Sequence, residues 1–99
     1  MIIRVWSCRV RPGKIAEFEA FCRTEAFLLM WSHRGLVALH CGRGRETTSE
    51  NPDYMLVSVW EDLSSLIAFT GERWRDPVVL PQEAELLDGI PEIRHYERL

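Results

Sequence analysis

Seven consecutive residues, Tyr54-Met55-Leu56-Val57-Ser58-Val59-Trp60, restrict what this chain can fold into more than any other stretch. They are rich in β-branched and aromatic types. Asn51-Pro52-Asp53 stands before them and Asp62 after them, so they read as a strand. Side chains alternate along a strand. Met55, Val57 and Val59 therefore take one face, and Tyr54, Leu56, Ser58 and Trp60 take the other. Both faces are largely apolar, and both must be covered.

The flanking chain supplies cover for one face. Asp62 suits the N-cap of a short helix running to Phe69, which Gly71 ends. Upstream, Ile2 to Val10 reads as a strand that is again apolar on both sides, broken by Arg11-Pro12-Gly13. From Lys14 to Trp31 the period becomes helical, with a stripe of Ile15, Phe18, Cys22, Ala26 and Leu29 flanked by Phe21 and Leu28. Ser32-His33-Arg34-Gly35 ends that helix, and Leu36 to Arg43 is the next strand. A polar connection from Gly42 to Pro52 leads into the strand described first. Further on, Pro77 opens a helical segment over Val78 to Leu87, broken or restarted at Pro81, and Pro91 to Leu99 reads as a last, charged strand.

The order is strand, helix, strand, strand, helix, strand. This predicts an α+β, ferredoxin-like βαββαβ protomer with a four-stranded antiparallel sheet, formed as a single domain over residues 1–99. Helices on one face leave the other face bare. A second copy packed face to face is the simplest cover, so the expected state is a homodimer joined through its sheet faces.

Composition narrows the partners. The net charge is -3, which gives no basic face for nucleic acid even though eleven of the twelve basic residues are arginines. Cys8, Cys22 and Cys41 are odd in number, widely spaced and without a CxxC, and they read as reduced, buried thiols of a cytoplasmic protein. Met1 to Trp6 lacks the apolar core of a signal peptide, and no apolar run spans a bilayer. No P-loop, GxGxxG, Ser/His/Asp order or metal-ligand spacing is present, so neither a cofactor nor a metal is expected.

The run from Val5 to Gly13, the sequence Glu17-Phe18-Glu19-Ala20-Phe21, and Val57-Ser58-Val59-Trp60-Glu61-Asp62 with Leu66 and Phe69 behind it resemble the antibiotic biosynthesis monooxygenase domain, of the dimeric α+β barrel group. The resemblance spans about residues 2 to 99. It implies a homodimer with a ligand pocket in each subunit between sheet and helices. It also implies either cofactor-independent oxidation of a phenolic or quinol-type aromatic molecule or, in the alternative, a non-catalytic dimeric module that binds a small molecule. The haem-degrading branch uses an asparagine where this chain has Trp6, and a tryptophan where it has Phe69. It also uses a histidine in the segment matching Pro77 to Leu87, which contains none. These departures weigh against haem degradation.

Several residues have both a structural and a functional reading. Arg4, in mid-strand, either snorkels to an edge, pairs with an acid, or holds an anionic phenolate. His40 and His95 are either surface and interface residues or the base that removes a phenol proton. Trp6, Tyr54, Trp60 and Phe69 are core aromatics or the stacking surface of a substrate site, with Arg4, His40 and His95 as its catalytic groups. Trp74, alone among Glu72, Arg73, Arg75 and Asp76, is either a lid or a docking residue.

Overall fold

The computed structural model describes residues 1–46 and 50–99. Four strands form one antiparallel sheet: β1 (Ile2–Arg9), β2 (Leu36–Arg43), β3 (Asp53–Trp60) and β4 (Glu92–Glu97), in the order β2-β3-β1-β4. With the helices between them, this is the ferredoxin-like arrangement that the sequence predicts. Residues 47–49 of the polar connection between β2 and β3 lie outside the described residues.

The register sorts the side chains. Val5 opposes Val57 and Ile3 opposes Val59, while Arg4 opposes Ser58 on one side and His95 on the other. Arg4, Trp6, Cys8 and Val10 are buried under the helices, as are Tyr54, Ser58 and Trp60 of β3. Ile3, Val5, Val57 and Val59 on the opposite face are only half-buried, and Met55 and Tyr96 are exposed.

Helix α3 (Leu63–Thr70) starts where Asp62 accepts a hydrogen bond from the Ser65 backbone N–H at 2.8 Å, which satisfies one of the helix's free donors. Its buried residue, Leu66, packs with Trp60 and Met30. Gly35, at φ +89°, brings the chain round from the preceding helix to β2, and a Cβ there would run into the Ser65 side chain. No other residue type fits that position without displacing α3.

The long first helix is not uniform. It consists of α1 (Ile15–Phe21), a π-helical stretch Cys22–Ala26 and α2 (Phe27–Trp31), with helical backbone angles at each junction. The buried stripe is Phe18, Cys22, Ala26 and Met30. This corrects the stripe read from the sequence, in which Leu29 followed Ala26; Leu29 is 41% exposed. The π stretch is the reason. At about 100° per residue, a strict four-residue spacing drifts by about 120° over twelve residues of α-helix. A wider turn takes up that drift and keeps all four side chains on the sheet side.

The expected helix over Val78 to Leu87 does not form. Residues 78–80 are irregular, 81–86 are turns, and Leu87 makes one bridge, with Val10. Pro81 contributes no backbone donor and biases Leu80 away from the helical region. The segment's carbonyls are used elsewhere: Leu86 accepts from the Arg11 backbone N–H at 2.9 Å, and Leu87 accepts from the Arg11 side chain at 2.7 Å. Held in this way, the segment closes the side of the sheet that the two helices leave open.

Candidate functional site

Between the sheet, the first helix and the 77–87 segment lies a largely apolar cavity of about 50 Å³, measured as space open to the centre of a water molecule. That is room for a few waters and about a third of a cavity that takes benzene, so a ring enters only as the wall gives way. Phe18, Phe27 and Phe69 supply aromatic walls, and Met30, Leu56 and Val78 supply aliphatic ones. Three polar features interrupt this lining.

The first is Arg4, which is 3% exposed. Its Nη1 donates to the Trp74 carbonyl at 2.7 Å and lies 2.8 Å from His95 Nε2, and its Nη2 donates to the Asp76 carbonyl at 3.2 Å. No carboxylate forms an ion pair with it among the described residues. Burial lowers its pKa to about 10, so it remains a cation at neutral pH. A guanidinium carries no acceptor, so His95 Nε2 must accept and the His95 ring proton sits on Nδ1. Burial, followed by the charges of Arg4 and Arg75, moves the His95 pKa down and keeps the ring neutral. The ring meets Trp74 edge-on at 4.8 Å, and Arg75 covers the Trp74 face at 4.2 Å.

The second feature is Trp6. Its indole N–H is fully buried and has no hydrogen-bond partner among the described residues, an arrangement that costs about 1–3 kcal/mol. Trp6 lines the same cavity as Arg4, two residues away on the same face of β1. The third is Glu83, 6% exposed, in the wall formed by the 77–87 segment. Burial raises its pKa.

The structure brings Arg4, Trp6 and Phe69 together in this wall, with His95 and Trp74 behind Arg4 as its supports. Trp60 is fully buried beside the cavity. It stacks on Phe69 with ring centroids 5.4 Å apart, and its N–H donates to the Ser58 hydroxyl at 3.0 Å. Tyr54 faces an adjoining, more polar groove that shares Phe18, Cys22, Phe27 and Cys41 with the cavity, and there its hydroxyl meets the Glu19 carboxylate. His40 pairs with Val57 on the other face of the sheet, exposed and away from the cavity.

Cys8 and Cys22 are buried as expected, but Cys41 is exposed. It lies toward the open end of β2, where its thiol interacts with that of Cys22. Burial pushes the Cys8 thiol up to about 12. Sequence reading missed Glu83, Met30 and Ser58 as site residues. Only Glu83 left a local trace, an acid three residues after Leu80 at the spacing with which a side chain caps a turn.

No family model matches the chain, and no curated protein matches it. Solved structures do. One from Bordetella bronchiseptica, named "Putative antibiotic biosynthesis monooxygenase", is 25% identical over 99% of this chain and 96% of its own, with a TM-score of 0.74. One of the same name from Nitrosomonas europaea covers 100% of this chain and 99% of its own at 13% identity and a TM-score of 0.77. The chain has the antibiotic biosynthesis monooxygenase fold. A conserved protein from Methanosarcina mazei shares that fold, at 25% identity over 100% of this chain and 94% of its own, with a TM-score of 0.74. Among the described residues no helix is long and apolar enough to cross a membrane. No group of three or more His, Cys, Asp or Glu side chains is placed to hold a metal ion among them.

Proposed function

We propose that this chain oxidises a small phenolic or quinol-type aromatic molecule without a cofactor, as a homodimer joined through its open sheet faces. One observation carries the reading: Arg4, a buried cation with no carboxylate partner among the described residues, forms part of the wall of a largely apolar and aromatic cavity. Burying an isolated charge is costly, and a ligand that brings a negative oxygen would offset that cost. The names carried by the structural relatives point to the same class of reaction.

The protein's part in such a reaction is modest. An electron-rich phenol, once deprotonated, can itself reduce oxygen. The cavity keeps water out, the phenylalanine walls hold the ring, and Arg4 stabilises the anion. His95 acts through Arg4. Its Nε2 is engaged with the guanidinium and is not available to a ligand, which makes it a positioning residue. His40 has no route to the cavity from the outer face, and Ile3, Val5, Val57 and Val59 around it are the surface that a second copy would cover.

Oxygen uptake with a panel of simple phenols and hydroquinones, alongside Trp fluorescence quenching, tests the reading. The expected result is uptake that the Arg4→Ala variant loses. Binding without uptake across the panel would favour the alternative, a non-catalytic dimeric binding module.

A further inference from the structure

The groove that Tyr54 faces lies beside the cavity and shares Phe18 and Phe27 with it. Measured in the same way, it holds about 340 Å³ against the cavity's 50 Å³. A closed apolar cavity of about 150 Å³ admits benzene. The groove therefore has the volume for a ring and a side group, which the cavity lacks. Its lining is aromatic: Phe18 and Tyr54 meet with ring centroids 4.7 Å apart, and Phe27 adds a wall.

The rest of the lining is charged. Glu19 and Arg23 stand four residues apart on the first helix, and Arg43 comes from the end of β2, in register with Tyr54. Arg23 Nη2 lies 3.5 Å from Glu19 Oε1, and Arg43 Nη1 lies 3.5 Å from Glu19 Oε2. Both separations exceed the span of about 2.7–2.9 Å of a formed charge-assisted hydrogen bond. Glu19 Oε2 already accepts from the Tyr54 hydroxyl. Burial, and then Glu19, moves the Tyr54 pKa up, so that proton stays in place at neutral pH.

Two guanidiniums thus share one carboxylate whose shortest contact is to a neutral phenol. Each guanidinium carries five donors, and both side chains are exposed. Exposed ion pairs of this length add little to stability. What they leave at the mouth of an aromatic groove is an excess of positive charge and of forked donors, the chemistry that recognises a carboxylate.

We propose that this groove binds an aromatic carboxylate, with the ring against Phe18, Phe27 and Tyr54 and the acid group between Arg23 and Arg43. The assignment rests on the aromatic ligand proposed above and narrows it to a phenol that bears an acidic side group. The ring lies where there is room for it, against the two phenylalanines that groove and cavity share, and the acid stays at the rim.

Isothermal titration of the full chain with 4-hydroxyphenylacetate and 4-hydroxyphenylacetamide tests this, since the two differ in charge and scarcely in shape. At neutral pH and low salt the acid should bind about tenfold or more tightly, and added salt should erode the difference. In Arg23→Gln/Arg43→Gln, which alters only exposed positions, the acid should fall to the affinity of the amide and the amide should be unchanged. Equal affinities in wild type overturn the proposal, and so does failure of both compounds to bind. A preference that survives in the double variant but disappears in Arg4→Met assigns the acid to the cavity's cation and also overturns it.

Phenylacetate, which has no phenolic hydroxyl, separates this site from the reaction. If it binds with the same dependence on the two arginines while no phenol or hydroquinone supports oxygen uptake, the oxidase reading falls and the groove stands. If hydroquinone uptake depends on Arg4 while acid and amide bind alike, the groove falls and the oxidase reading stands.

Discussion

The two faces of the sheet have nearly the same composition and different fates. On β1, Ile3 and Val5 point outward while Arg4 and Trp6 point inward, and on β3 Val57 and Val59 alternate with Ser58 and Trp60. The inner face is roofed by helices that do not seat flush against it. The gap left is a cavity, and the polar groups at its edge are held by named partners: Arg4 by two carbonyls and an imidazole, and Ser58 by the Trp60 indole. The outer face has no roof among the described residues, and its histidine, His40, is exposed. A polar residue in mid-strand thus has two meanings here. Inside it is fixed and costly; outside it is solvated.

Changes on each face should separate these roles. The largest effect is expected for Trp60→Ala, which empties the fully buried position where β3 packs against Leu66 of α3 and Met30. A loss of about 3–5 kcal/mol in urea unfolding is expected. Next, Val57→Lys on the outer face should weaken self-association at least a hundredfold in sedimentation velocity, while ligand binding per chain persists. A dimer that survives this substitution would show that the outer face is not the interface. Arg4→Met on the inner face should do the reverse, preserving the oligomer and lowering affinity for hydroquinone tenfold or more. Loss of a charge-assisted hydrogen bond of about 1.5–3 kcal/mol accounts for that figure.

The smallest effect concerns His95. Its pKa is lower folded than unfolded, so the unfolded chain binds the extra proton. The resulting stability is present above the ordinary value of 6.5 and is lost as pH falls through the folded value. Glu83, raised by burial, works in the opposite sense: its contribution is present below its ordinary 4.5 and is lost as pH rises through the folded value. Subtracting the stability profile of His95→Gln from that of wild type should isolate a slope confined to pH values below about 6.5. A flat difference would place His95 outside the Arg4 network.

Much of this was legible in the sequence, for reasons specific to each element. The two-sided greasiness of Tyr54–Trp60 identified a strand that needs cover on both faces, and Asp62 marked the start of α3 because a short acceptor before an apolar run satisfies free helix donors. The face shared by Arg4 and Trp6 followed from strand parity alone. What parity could not show was which face the helices would choose, so His40 and His95 carried the same reading although one is outside and the other buttresses Arg4. Glu83 was hidden because the 77–87 segment has no period. The segment is placed by individual hydrogen bonds to Arg11, just past the end of β1, and by two prolines, and no repeat reports such placement. Met30 was missed by one position, since helical periodicity assumes a constant turn and the first helix changes its turn midway.

That wide turn has a consequence for how such a cavity can be remodelled. One residue removed between Cys22 and Ala26 would let the helix revert to ordinary winding, and eleven residues at about 100° would still bring Met30 to within about 20° of its present direction from Phe18. Only the side chains within the wide turn would be lost or exchanged, with both ends of the helix and the opposite wall kept in phase. The stretch is a slip joint: it can give back one residue without turning the rest of the helix away from the strand that carries the chamber's charge.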